Sequence, residues 1–133
     1  MLKLIQDGNL PKGGQVPQSI YDVILEHMVI VCADVVVVDR AARRVYLAPR
    51  AIEPYKGWWV IGGRQLRGET NPQAAIRHFK RDTGLEINIE RLHLVCASDY
   101  LSPTREQVPR EAGSHTLAML SATPLTPHAL APF

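Results

Sequence analysis

The run Val29 to Val38 is β-branched almost throughout and constrains the fold more than any other stretch of the chain. A strand this apolar lacks the wet and dry alternation of a surface strand, and reads as a central strand buried on both sides. Its sheet therefore needs a cover on each face. Asp34 interrupts the run. A buried carboxylate needs a partner, and an Arg or a backbone amide would serve; contact with a ligand is the other reading.

The rest of the chain supplies the layers. Ile20, Val23, Ile24 and His27/Met28 recur at helical spacing behind Ser19, predicting a short amphipathic helix with a Ser cap that covers one face of the sheet. After the strand, Asp39 to Arg44 turns the chain into a second strand, Val45 to Ala48, as a hairpin. Trp58-Trp-Val-Ile61 leads to Gly62-Gly63 and a loop. Asn71 can cap a helix and Pro72 suits its first position, while Ala75, Ile76 and Phe79 form its apolar stripe and Gly84 its left-handed stop. That helix is expected over Pro72 to Thr83. Ile87, Ile89, Leu92, Leu94 and Cys96 alternate as one or two strands, and His115 to Thr123 forms another. The polar loop between them, Asp99 to Ser114, reads either as a binding or lid segment or as disorder.

With 133 residues, 46% apolar and 21% charged, the chain is expected to form one globular domain over residues 1–133. Residues 1–17 read as an arm and 124–133 as a short tail. The net charge of +2 is spread without blocks, which argues against nucleic-acid or anionic-membrane binding. Arg outnumbers Lys 11 to 4, a bias that suits a planar two-point contact with phosphate but also fits plain replacement of Lys on the surface. Cys32 and Cys96 lie far apart in strand-like runs and read as buried, reduced thiols. The N-terminus lacks a hydrophobic stretch of signal-peptide length, and the longest apolar run is too short for a bilayer, so a cytoplasmic location is expected. One of Trp58 and Trp59 should pack inside while the other faces a ligand, unless both are core aromatics.

Residues 62–85 read GGRQLRGETNPQAAIRHFKRDTGL. This segment resembles the box of the Nudix hydrolase family, G-x5-E-x7-R-E-U-x-E-E-x-G-U with U aliphatic. Gly63, Glu69, Arg77, Gly84 and Leu85 fall on box positions without a gap. The resemblance implies a Nudix-type α/β/α sandwich with a mixed sheet, here with the C-terminal helix missing, over roughly residues 18 to 123. The acidic cluster departs from the pattern, because the three helix glutamates are replaced by His78, Arg81 and Asp82. Three carboxylates on one helix face would bind hard divalent cations; one Asp holds Mg²⁺ only weakly.

Gly62-Gly63-Arg64 and Glu69-Thr70 resemble the GDP-mannose mannosyl hydrolase branch of that family, which also lacks part of the cluster. The resemblance implies metal ligation by the Gly62 carbonyl and Asp82, with Glu69 counted beside them, and Mg²⁺ or Mn²⁺ as the ion. It implies that Arg50, Arg64 and Arg77 stabilise a leaving diphosphate as catalytic and substrate-binding residues; of the two tryptophans, Trp59 is the one expected against the ligand. Water would attack the sugar's anomeric carbon. The branch's general base is a loop His beyond the last strand seen here; His128 is the one substitute in the tail, while His93 and His115 read as structural. The expected activity is Mg²⁺-dependent hydrolysis of a nucleoside diphosphate linked to another moiety, such as a nucleotide sugar. The alternative is a catalytically impaired module that binds a nucleotide or another protein. Without its C-terminal helix the sheet would leave an apolar face for a second copy to cover, predicting a homodimer.

Overall fold

A computed structural model of the chain describes residue 4 and residues 10–125. Two helices and a mixed sheet form its frame. Helix α1 is Gln18–His27, followed by β1, Ile30–Asp39. Three short strands follow: β2, Arg44–Tyr46; β3, Ala48–Arg50; and β4, Gly57–Trp59. Then come β5, Ile61–Arg64, and helix α2, Asn71–Thr83. Strands β6, His93–Ser102, and β7, Ser114–Pro124, complete the order. The main sheet runs β2-β1-β7-β6, with β5 sharing the β2 edge of β1; β3 and β4 pair separately. Strand β1 lies parallel to β7, from Ile30 opposite Thr116 to Val38 opposite Pro124, and antiparallel to β2 and β5.

The dense core lies between β1 and α2. Ala33, Val35 and Val37 alternate onto one face of the sheet, where Ala74, Ala75, Phe79 and Ile61 are also buried. Helix α2 begins with a capping box, in which the Thr70 hydroxyl accepts from Gln73 N and the Gln73 side chain accepts from Thr70 N. Thr70, not Asn71, is thus the cap. Asn71 is freed to reach inward and donates to the Cys32 carbonyl and to Gln65 Oε1. Gly84 ends the helix with φ 74°, the left-handed stop.

Several expectations need correction. Helix α1 has Pro17 at its cap and no side-chain cap bond, and Ile20 and Val23 are exposed, so it meets the sheet through Leu25. The expected strand 45–48 divides at Leu47, because β3 leaves the main sheet to pair with β4. Cys32 is half-buried and Cys96 exposed, not both buried. Segment 87–91 contributes a 3₁₀ turn, Ile89–Arg91, and no strand. The loop after β6 is built on a buried cation. Arg105, 1% exposed, donates to the carbonyls of Gln107, Val108 and Gly113 and pairs with Glu26 of α1 at 3.1 Å. Residues 126–133, where the tail and His128 fall, lie outside the described residues.

Candidate active site

The face of β1 opposite its core carries Ile30, Cys32 and Asp34, and these line a cavity of about 200 Å³ walled by α1, the β3–β4 hairpin and β6. Asp34 pairs in register with Gly62 of β5, and a Cβ at Gly62 would fall on the Asp34 carboxylate. A Cβ at Gly63 would meet the His78 ring at 2.7 Å. The glycine pair thus exists because a carboxylate presses on one residue and an imidazole on the next.

Asp34 is 9% exposed, and among the described residues no cation pairs with it directly. Loss of solvent pushes its pKa up to about 6, against the opposing pull of Arg50. Of the two readings open for this residue, the cavity wall is where it lies. Arg50 is oriented by the chain that follows it, donating through Nε to the Ile52 carbonyl at 3.2 Å and through Nη2 to the Glu53 carbonyl at 3.0 Å. Arg64, at the end of β5, donates to Gln15 Oε1 at 2.6 Å, and its guanidinium lies 4.3 Å from the centre of the Tyr21 ring. It lines both this cavity and a neighbouring cleft that includes His78 and Arg81.

Trp59 forms the aromatic wall, 5.0 Å from Tyr55 and 5.5 Å from Tyr100 between ring centres. Trp58 is 68% exposed, so neither tryptophan is a core aromatic. Cys32 faces the cavity from β1, and burial pushes its thiol up to about 12, which keeps it protonated and unreactive.

No family model and no curated protein matches the sequence. Solved structures do match the fold. A MutT/nudix family protein from Enterococcus faecalis superposes with a TM-score of 0.57 at 17% identity, over 74% of this chain and 38% of that one. The Ap4A hydrolase of C. elegans superposes with a TM-score of 0.52 at 20% identity, over 79% of this chain and 76% of that one. The chain has the Nudix fold. It spans well under half of the bacterial structure it matches.

Within this Nudix fold, the loop between β5 and α2 is held by an arginine brace. Arg77 donates through Nε to Glu69 Oε1 at 2.5 Å and through Nη2 to Glu69 Oε2 at 2.9 Å and to the Arg64 carbonyl at 3.0 Å. Leu66 N adds a third bond to Glu69. The Arg77 bond, and then Leu66 N, hold the Glu69 carboxyl below the usual range despite burial. Arg77 is absent from the residues lining the cavity, whereas Arg50, Arg64 and Trp59 are among them. His78, 4% exposed, shares a hydrogen bond through Nε2 with the Arg64 carbonyl at 2.9 Å, and among the described residues Nδ1 has no partner. Burial lowers its pKa, against the opposing hydrogen bond to the Arg64 carbonyl.

The residues expected to hold Mg²⁺ do not fit a resident ion. Arg81 donates through Nε to Asp82 Oδ1 at 2.6 Å and through Nη2 to Asp82 Oδ2 at 2.9 Å and to the Gly62 carbonyl at 3.4 Å. Both oxygens of Glu69 are engaged by Arg77. Among the described residues no three His, Cys, Asp or Glu side chains converge as a metal site. A hard divalent cation needs several oxygen donors, and those of the expected set already face guanidinium groups. Sequence reasoning missed the part played by Arg81, and it did not place Tyr21, Tyr55 or Tyr100 at the cavity. The charged residue inside an apolar strand, Asp34, was the one signal that could have located it.

Proposed function

We propose that the cleft binds a nucleoside diphosphate joined to a second moiety, a nucleotide sugar foremost, and that the protein is a Nudix-type hydrolase of such a compound. The observation that carries this reading is the meeting of Arg50, Arg64 and buried Asp34 in one cavity beside the Tyr55–Trp59–Tyr100 wall. The two guanidinium groups suit a diphosphate, and charge gathered on the departing diphosphate is what they would stabilise. An aromatic wall suits the flat face of a base. In this reading water attacks the sugar's anomeric carbon, the carbon–oxygen bond to the diphosphate breaks with its electron pair leaving on the diphosphate, and the proton shed by the water passes to solvent. Arg77 acts here by positioning: through Glu69 and the Arg64 carbonyl it fixes the loop that carries Arg64.

The reading routes no step through Mg²⁺ or Mn²⁺, and dependence on either ion is one outcome of its test. It also takes residues 1–133 as one domain of cytoplasmic location with a small-molecule partner, and β6 with β7 as the contact between two copies. A second reading, nucleotide binding without turnover, is favoured by the engagement of Asp82 and Glu69 with arginines.

The test is a thermal-shift panel of nucleoside diphosphates, nucleotide sugars and dinucleoside polyphosphates, with and without Mg²⁺, following each stabilising compound for breakdown. A ligand of the folded state raises the midpoint whether or not it is cleaved. Stabilisation with breakdown, both lost in Arg64→Ala, supports the hydrolase. Stabilisation without breakdown supports the binding module, and no response from any compound overturns both readings.

A further inference from the structure

We infer that the Arg81 guanidinium is a built-in cation standing where the resemblance calls for a metal, so that this site binds anions without a divalent ion. The bonds of Arg81 run to both oxygens of Asp82 and to the Gly62 carbonyl, which are the oxygen donors expected to hold the ion. A guanidinium carries five N–H donors, and these contacts use Nε and Nη2. Among the described residues none bonds to Nη1, and Arg81 lines the same cleft as Arg64 and His78.

Charge and shape point the same way. Where three carboxylates would repel one another without a cation, this helix carries an imidazole, a guanidinium and one carboxylate. The set is balanced internally and needs no ion. His78 completes it sterically, since its buried ring rests against Gly63 and bonds to the Arg64 carbonyl. The guanidinium keeps a permanent charge, and with Nε and Nη2 engaged by Asp82 it is Nη1 that remains to donate to a phosphate oxygen. The phosphate part of this inference rests on the diphosphate reading above; the exclusion of a metal does not.

The closing experiment therefore measures the two parts separately. Free Mn²⁺ is titrated against the full chain by its paramagnetic resonance signal, and inorganic pyrophosphate is titrated by calorimetry in EDTA. The proteins are wild type, Arg81→Gln and Arg81→Glu; thermal melts check that each variant is folded, as a side chain 56% exposed on a helix permits. Wild type is expected to bind Mn²⁺ at least about tenfold more weakly than Arg81→Glu, which restores adjacent carboxylates beside the Gly62 carbonyl. Pyrophosphate is expected to bind wild type in EDTA and to lose about tenfold in affinity in Arg81→Gln, as for one charge-assisted hydrogen bond. Mn²⁺ binding by wild type as tight as by Arg81→Glu, and abolished in Asp82→Asn, would overturn the inference. Equal pyrophosphate affinity in wild type and Arg81→Gln would overturn its anion-binding half. If pyrophosphate binds no variant while Mn²⁺ still separates wild type from Arg81→Glu, the diphosphate reading falls and the built-in cation stands.

Discussion

The two sides of the sheet are held by different forces. Around β1, Ala33, Val35, Ala74, Ala75 and Phe79 are all but sealed from solvent, packed between the strand and α2. On β6, Leu94 is 36% exposed, Val95 59% and Leu101 71%, and the strand is tied to the rest by pairing with β7 along one edge. Burial fixes the first region and backbone hydrogen bonding the second. The cleft lies between them. Asp34 and Arg64 are mounted on β1 and β5, Arg50 and Trp59 on the separate β3–β4 hairpin, and β6 lends the Tyr100 ring to the aromatic wall.

Substitutions on each side sharpen this contrast, and the largest effect belongs to the core. Phe79→Ala should cost about 3–5 kcal/mol, read as a lower urea midpoint, because it opens a cavity between α2 and β1. A loss well under 1 kcal/mol would show that the core there can collapse.

Asp34→Asn should act in the opposite direction. The carboxyl's ordinary value of 3.8 rises to about 6 on folding, a difference worth up to about 3 kcal/mol. Its contribution to stability is fully present below the unfolded value and is lost as pH climbs through the folded value. The variant should therefore gain on wild type above pH 6, with the advantage closing as pH falls toward 4. A gap between the two midpoints that stays constant with pH would refute this, and a parallel loss of nucleotide-induced stabilisation would mark Asp34 as a ligand contact.

Glu69→Gln is expected to cost about 2 kcal/mol by weakening the two charged bonds from Arg77. It should also loosen the Arg64 loop, so nucleotide binding should weaken though Glu69 lines no part of the cavity. Unchanged binding would separate the brace from the site. The smallest effect is expected on β6, where Leu101→Lys should alter the monomer's stability by no more than about 0.5 kcal/mol. If two copies meet on this strand, the same change should lower the mass seen by light scattering; a wild-type monomer at working concentration would remove the dimer from consideration.

What could be read from sequence alone follows the range of the interaction. The start of α2 and the stop at Gly84 are set by residues within one turn of one another, so local chemistry displays them. The cap moved by one position because Thr70 and Gln73 form a reciprocal pair that competes with Asn71. Arg77 could not be read the same way. Whether its fork meets a phosphate or Glu69 depends on where the loop 65–70 returns to the helix, which is a tertiary fact. Arg81 was hidden for a geometric reason, since adjacent helix positions do not face one another. Its long side chain crosses that gap and reaches β5 as well. The apolar alternation of β6 was visible, but a period of two says which residues share a face and not whether anything covers it.

The parallel pairing of β1 with β7 has a bearing on how the chain is made. The first strand of the main sheet waits for the last described one, and every other strand and α2 must be synthesised before that register can close. Contacts so distant in sequence are expensive in chain entropy and slow to find. On the ribosome, β1 would stay without its parallel neighbour until β7 emerged, leaving a β-branched edge open to other nascent chains while the intervening residues 40–113 are made.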